Sequence, residues 1–273
     1  MAEVFVSGLY FYPVKSCAGT PLDRAELDPR GIVHDREFML VGTDRRFVTQ
    51  RELPHLALIQ PTRTADVLRL EAPAMPPIDH FPTDAGTRYD VVVWRDTVAA
   101  VDQGDAVADW FSQFLHTAVR LVRMPDDVVR LVDPGFARRS TDQVGFADGY
   151  PLLLISEESL ADLNARMDTP LPMNRFRPNV VVRGWGAPYG EDGWAEVCVG
   201  QVRFEVVKAC ARCVTTTTNQ ATAERGIEPL ATLATYRRVP RGVLFGQNLI
   251  HTDRGVISVG DRLKFESRCP PIA

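Results

Sequence analysis

The sequence has no apolar run approaching the roughly 18 residues that a membrane-spanning helix requires. It opens Met-Ala-Glu-Val-Phe-Val, with an acid where a secretory leader carries a basic segment. Cysteine is scarce: Cys17, Cys198, Cys210, Cys213 and Cys269. An odd, sparse set with no leader does not read as a disulfide framework, so a cytoplasmic protein with free thiols is expected. A basic excess is also missing. Lys and Arg number 31 against 35 Asp and Glu, a net charge of −4. That excludes a protein that works by wrapping nucleic acid, although a local basic pocket stays open. The five histidines (His34, His55, His80, His116, His251) show no paired metal spacing. There is no P-loop, no His-Glu-x-x-His and no Gly-x-Ser-x-Gly. Gly184-Trp-Gly186-Ala-Pro-Tyr-Gly190 imitates a dinucleotide fingerprint but has one residue too many, contains Pro188 and leads into Glu-Asp-Gly. It reads as a turn, because the fingerprint needs a helix to receive pyrophosphate.

What is present is a core. With 273 residues, 45% of them hydrophobic, the chain is long enough for one large domain or two small ones. Short apolar runs punctuated by Gly, Pro and Asp predict strands at 4–6, 9–11, 38–41, 56–59, 89–94, 98–101, 151–155, 179–183, 194–199, 202–208, 214–218 and 256–265. Helical spacing of Val107, Trp110, Phe111, Phe114 and Leu115 predicts a helix over 104–115, capped at Asp102 or Gly104. Ser156 caps a second helix whose first turn carries Glu157 and Glu158. Pro229 opens a short third one. Residues 72–86, with four prolines, read as a loop, and 125–148 as an excursion or a domain seam. Strands do not alternate with helices, so a mainly β protein built from closed or nearly closed barrels is expected.

Cys210-Ala-Arg-Cys213 is the densest chemical signal. It fits two small residues buried in a strand, half of a zinc site, a redox dithiol, or a single thiolate for a soft metal with Arg212 lowering its pKa. Neither Cys198 nor Cys269 supplies a second zinc pair at the usual spacing. Lys15, Arg36, Arg175 and Arg177 sit at turns or strand ends. Singly each suits a solvated surface; together they suit an anionic, phosphate-bearing ligand.

Nine segments in order carry a resemblance. They are Tyr12-Pro-Val-Lys-Ser-Cys17, Gly31-Ile-Val-His-Asp-Arg-Glu-Phe38, Phe47-Val-Thr-Gln-Arg51, Ala147-Asp-Gly-Tyr-Pro-Leu152, Ser159-Leu-Ala-Asp-Leu-Asn164, Phe176-Arg-Pro-Asn179, Glu191-Asp-Gly-Trp194, Cys210-Ala-Arg-Cys213 and Leu244-Phe-Gly-Gln247. The chain resembles MOSC-domain proteins that carry an N-terminal MOSC β-barrel, the group of the amidoxime-reducing components. The resemblance implies an N-terminal β-barrel-like domain over 1–122, a MOSC β-barrel domain over 123–273, and a molybdenum–molybdopterin cofactor at their seam. It makes Cys213 the catalytic thiolate and metal ligand. It gives Lys15, Ser16, Arg36, Arg177 and Asn179 the pterin and its phosphate. The turn Asp148-Gly149-Tyr150 lines the pocket, Ala211 and Arg212 flank the ligand, and Asn248 stands where relatives can carry an aromatic wall residue. The implied activity is reduction of N-hydroxylated small molecules with electrons from a separate ferredoxin, flavodoxin or cytochrome-type partner. A single Cys269 near the C-terminus leaves no place for a fused iron–sulfur cluster. A sulfur or cofactor carrier and a non-catalytic binding module are the alternative readings.

Overall fold

The computed structural model describes residues 3–268; Cys269 lies outside them. The architecture is mainly β. Seven strands close into a barrel in the order Leu152–Ser156, Val180–Arg183, Val4–Phe11, Arg262–Arg268, Trp194–Val199, Val202–Arg212 and Gly242–His251, and the last pairs back to the first. Only Leu152–Ser156 and Val180–Arg183 run parallel. A parallel pair needs a crossover, and the helix Glu157–Asn164 supplies it. Ser156 caps that helix as predicted, its side chain accepting from the Ser159 N–H. Val6, Leu9, Leu154, Val182, Val197, Phe204, Leu249 and Leu263 fill the barrel interior. Gly246 is required there. Its φ is +83°, and a Cβ would sit 2.9 Å from the Leu154 carbonyl oxygen.

The second unit is built on the sheet Phe38–Val41, Arg120–Arg123, Asp96–Asp102, Arg88–Val93. Strand periodicity sorts its side chains. Phe38 and Leu40 pack beneath the helix Asp105–Leu115 with Val107 and Phe111, while Met39 and Val41 pack on the opposite face with Val91, Val93 and Phe146. Gly104, with φ +93°, holds the N-cap position of that helix, and Asp102 accepts its N–H at 2.7 Å.

Val4–Phe11 is a barrel strand, Ala25, Leu27 and Ile32 join the barrel core, and Arg24–Asp28 pairs with Gly255–Ser258.

Five local expectations are corrected. Residues 56–59 are not a strand: Pro54 starts a 3-10 helix, Pro54–Leu58, that buries Leu56 and Ala57. Residues 214–218 are not a strand either. The Thr216 hydroxyl donates to the Cys213 carbonyl and the Thr217 hydroxyl to that of Val214, both at 2.9 Å, and these local bonds fold Val214–Thr217 into a 3-10 turn. The stretch 256–265 is two strands broken at Gly260, φ +91°. The proline-rich 72–86 contains the short strand Ile78–His80. The third helix spans only Leu230–Ala234.

Glu37 ties the second unit together. It is buried and accepts from His34 at 2.9 Å, Arg63 at 3.2 Å and Arg123 at 2.5 Å. Burial alone would raise its pKa, but the hydrogen bonds from His34 and Arg123 and the charge of Arg63 outweigh it and hold the carboxyl at about 2. Its folded pKa is therefore depressed. Its stabilisation is complete above the ordinary carboxylate range and is lost as pH falls toward about 2. Glu37→Gln should cost about 3 kcal/mol at neutral pH by leaving buried cations unpaired. Urea unfolding at pH 7 and pH 3 tests this: the gap between wild type and variant should narrow at pH 3, and a constant gap contradicts the assignment.

Candidate functional site

A cleft of about 1090 Å³ opens between the barrel and the second unit. Lys15, Ser16, Arg36, Asp148, Gly149, Tyr150, Arg177, Asn179, Ala211, Arg212, Cys213 and Asn248 all line it, and Arg175 with them. Nine of the lining residues are Lys or Arg, against three Asp. In a chain of net charge −4, that concentration needs an anion to offset it.

The Val4–Phe11 strand delivers one wall, because Tyr12 to Ser16 follow it directly. Tyr12 lies between two guanidinium groups, Arg36 at 4.1 Å and Arg177 at 4.3 Å from its ring centre. Its hydroxyl donates to the Pro178 carbonyl at 2.9 Å, and burial pushes its pKa up to about 12, so it stays neutral. Arg36 also donates to Asp35 at 2.5 Å and to Asn179 Oδ1 at 3.1 Å. Arg177 donates to the Cys17 carbonyl at 2.6 Å. Ser16, Arg36 and Arg177 all have left-handed backbones, with φ of +70°, +46° and +56°. Such conformations cost free energy and concentrate where a site needs a fixed side-chain direction.

Lys15 is buried, with Nζ 2.5 Å from Asp148 Oδ1 and 2.7 Å from the Phe146 carbonyl. Burial lowers its pKa and Asp148 opposes the shift. Asp148 in turn is held well below the usual carboxylate range: burial would raise it, but Lys15 and Arg51 prevail. Arg130 fixes this loop by donating to the carbonyls of Gly145, Ala147 and Asp148.

Cys213 follows the end of the long strand Val202–Arg212 and opens the 3-10 turn. Arg51 Nη2 lies 3.1 Å from its sulfur, stacks over Trp94 at 4.5 Å and reaches within 3.9 Å of Asp148. Burial would raise the Cys213 pKa, but the Thr215 hydroxyl and N–H and the Arg51 charge hold it below the ordinary thiol value. Arg175 is structural. It is buried and props the turn by donating to the carbonyls of Thr216 at 2.9 Å and Glu228 at 3.0 Å. Cys210 is a separate environment: Arg212 Nη1 lies 2.9 Å from its sulfur, while Arg212 Nη2 holds the Phe176 carbonyl at 2.6 Å. Among the described residues no group of three His, Cys, Asp or Glu could hold a metal. A metal at Cys213 would take most of its ligands from a non-protein group.

Sequence reasoning missed Arg51, Trp94, Arg130 and Lys208, which also line the cleft. Arg51 closes the Phe47–Arg51 motif, so its signal was present. Its role needed the fold, because it meets Cys213 from 162 residues away.

Comparison with known proteins gives the family. The family description "MOSC N-terminal beta barrel domain" matches residues 3–118, and "MOSC domain" matches residues 141–264. The chain belongs to the MOSC-domain family. Human mitochondrial amidoxime-reducing component 1 is 34% identical over 282 residues, covering 94% of this chain and 81% of its own length. The bovine mitochondrial amidoxime reducing component 2 is 37% identical, covering 85% and 72%. The molybdenum cofactor sulfurase of Arabidopsis thaliana is 31% identical over 89% of this MOSC protein, which spans only 32% of the sulfurase. The nine-segment resemblance thus agrees with the family placement.

Arg51→Ala should raise the thiol pKa of Cys213 toward the ordinary thiol value in metal-free protein. The rate of iodoacetamide alkylation against pH, with Cys213→Ala as background, measures it. An unmoved profile would show that Arg51 does not stabilise the thiolate.

Proposed function

We propose that this MOSC protein is a molybdenum-cofactor-dependent reductase of N-hydroxylated compounds, acting with a separate electron-transfer protein. The observation that carries the reading is the Cys213 thiol, whose ionisation Arg51 favours, in a cleft lined by nine cationic side chains. The donor set fits a pterin–molybdenum group. A soft thiolate suits the metal, and the cations suit a dithiolene and a phosphate. The Arg212 Nε is buried without a partner, one more donor facing an acceptor the protein does not supply.

In this reading Cys213 supplies the protein's metal ligand. Arg36 and Arg177, aligned by Tyr12, hold the phosphate end, and Asn179 fixes Arg36. Lys15, Arg51 and Asp148 keep charge balanced beside the sulfur. When bound, the cofactor supplies the two-electron chemistry. The overall reaction takes two electrons and two protons, breaks the N–O bond and gives the N–H compound and water. The names of the two amidoxime-reducing components support the substrate class.

The test is elemental analysis of protein from a cofactor-producing host, beside Cys213→Ala and Arg177→Ala. Near-stoichiometric molybdenum in the wild type is expected. Cys213→Ala should lose the metal or all reductase activity, and a metal-loaded, active Cys213→Ala would refute the ligand assignment. Arg177→Ala should lose about ten-fold or more in cofactor retention; unchanged occupancy contradicts its role. Metal-free wild type carrying a sulfur adduct of about 32 Da on Cys213 would instead support a sulfur carrier.

A further inference from the structure

Lys208 lines the cleft, yet its position in the strand would ordinarily turn it away. Val206 points into the barrel core. In a regular strand residue 208 would share that face. The pairing register with Gly242–His251 shifts between Val206, opposite Leu249, and Lys208, opposite Asn248. Val207 is the extra residue of a bulge, and a bulge re-aims the side chain that follows it. Val207 packs against Val132, Val144 and Ala147, and Lys208 is turned into the cleft.

The ammonium group there lies 4.0 Å from the ring centre of Phe136 and 5.9 Å from that of Tyr150. The two rings meet edge to face at 6.0 Å. Among the described residues Nζ has no carboxylate or carbonyl partner, unlike Lys15, Arg36, Arg130, Arg175, Arg177 and Arg212. Aromatic faces stabilise a cation but leave its three N–H donors unused. A half-buried ammonium positioned by π faces and lacking an acceptor is organised to receive one. Five residues of extended chain separate Lys208 from Cys213, a span of roughly 16 Å at most.

We propose that Lys208, with Phe136 and Tyr150 as its platform, is a substrate subsite that binds a carboxylate or phosphate on the N-hydroxylated compound. This rests on the reductase reading and adds that the preferred substrates are anionic, with the acid group and the N–OH group at opposite ends of the molecule. Lys208 is a specificity residue: it sets which compound sits beside Cys213.

The experiment uses three aryl amidoximes: benzamidoxime, its para-carboxylate and its para-phosphonate. For each, calorimetry gives Kd and, with electron donor supplied, steady-state reduction gives KM and kcat. Wild type, Lys208→Met and Lys208→Arg are compared, and pterin content is measured for all three. In wild type an anionic probe should bind at least ten-fold more tightly than benzamidoxime. Lys208→Met should abolish that difference through KM with kcat unchanged, and Lys208→Arg should restore it. The carboxylate and phosphonate arms show which acid the subsite favours. Equal Kd for all three probes in wild type overturns the proposal, as does a Lys208→Met variant that keeps the discrimination. Loss of pterin with discrimination intact also overturns it and makes Lys208 a cofactor contact. If nothing is reduced but the Kd difference depends on Lys208, the subsite stands and the reductase reading falls.

Discussion

The Val4–Phe11 strand is held on both edges, by Val180–Arg183 and by Arg262–Arg268, and the barrel cannot close without it. That constraint decides where the cleft lies. A strand from the start of the chain, inserted among strands from the end, carries its continuation, Tyr12 to Cys17, to the rim where the Val202–Arg212 strand delivers Cys213. Tyr12 then orders Arg36 and Arg177, and Lys15 reaches across to Asp148. Each contact joins distant parts of the sequence, so site and fold form together.

The second constraint is charge. Grouping nine cations around a cleft raises the free energy of the ligand-free protein, because like charges repel and several are removed from water. The structure offsets part of this with aromatic platforms and carbonyl acceptors as well as carboxylates. Tyr12, Trp94, Phe136 and Tyr150 face cations, and main-chain oxygens accept from Arg130, Arg175 and Arg177. Neutral partners leave the cationic potential in place for an anionic ligand; carboxylates cancel part of it. The carboxylate partners are Asp35 on Arg36, Asp96 on Arg130, and Asp148, which sits between Lys15 and Arg51 and keeps two cations fixed beside the sulfur.

Most of the architecture was legible where periodicity was strong. The amphipathic helix at 105–115, the Ser156 cap and the short apolar Phe38–Val41 strand follow from side-chain spacing, composition and capping chemistry. Failures fell where local chemistry beats propensity. Val214–Thr217 has strand-forming residues, but threonine hydroxyls bond their own backbone and curl it into a turn. Residues 56–59 read as a strand until Pro54 is seen to start a 3-10 turn. The cleft residues were legible through ordered motifs, not through spacing. Arg51 lies in one of those motifs, but its role depends on a contact across 162 positions, and Lys208 was not legible because a bulge inverts strand alternation there.

In the proposed reading one protein sulfur completes a metal site whose other ligands come from the bound cofactor. X-ray absorption at the molybdenum edge, on wild type and Cys213→Ser loaded with the same cofactor, tests it most directly. The account predicts that the serine variant loses one sulfur scatterer while keeping the cofactor's own sulfurs. Identical sulfur shells in the two proteins would contradict it.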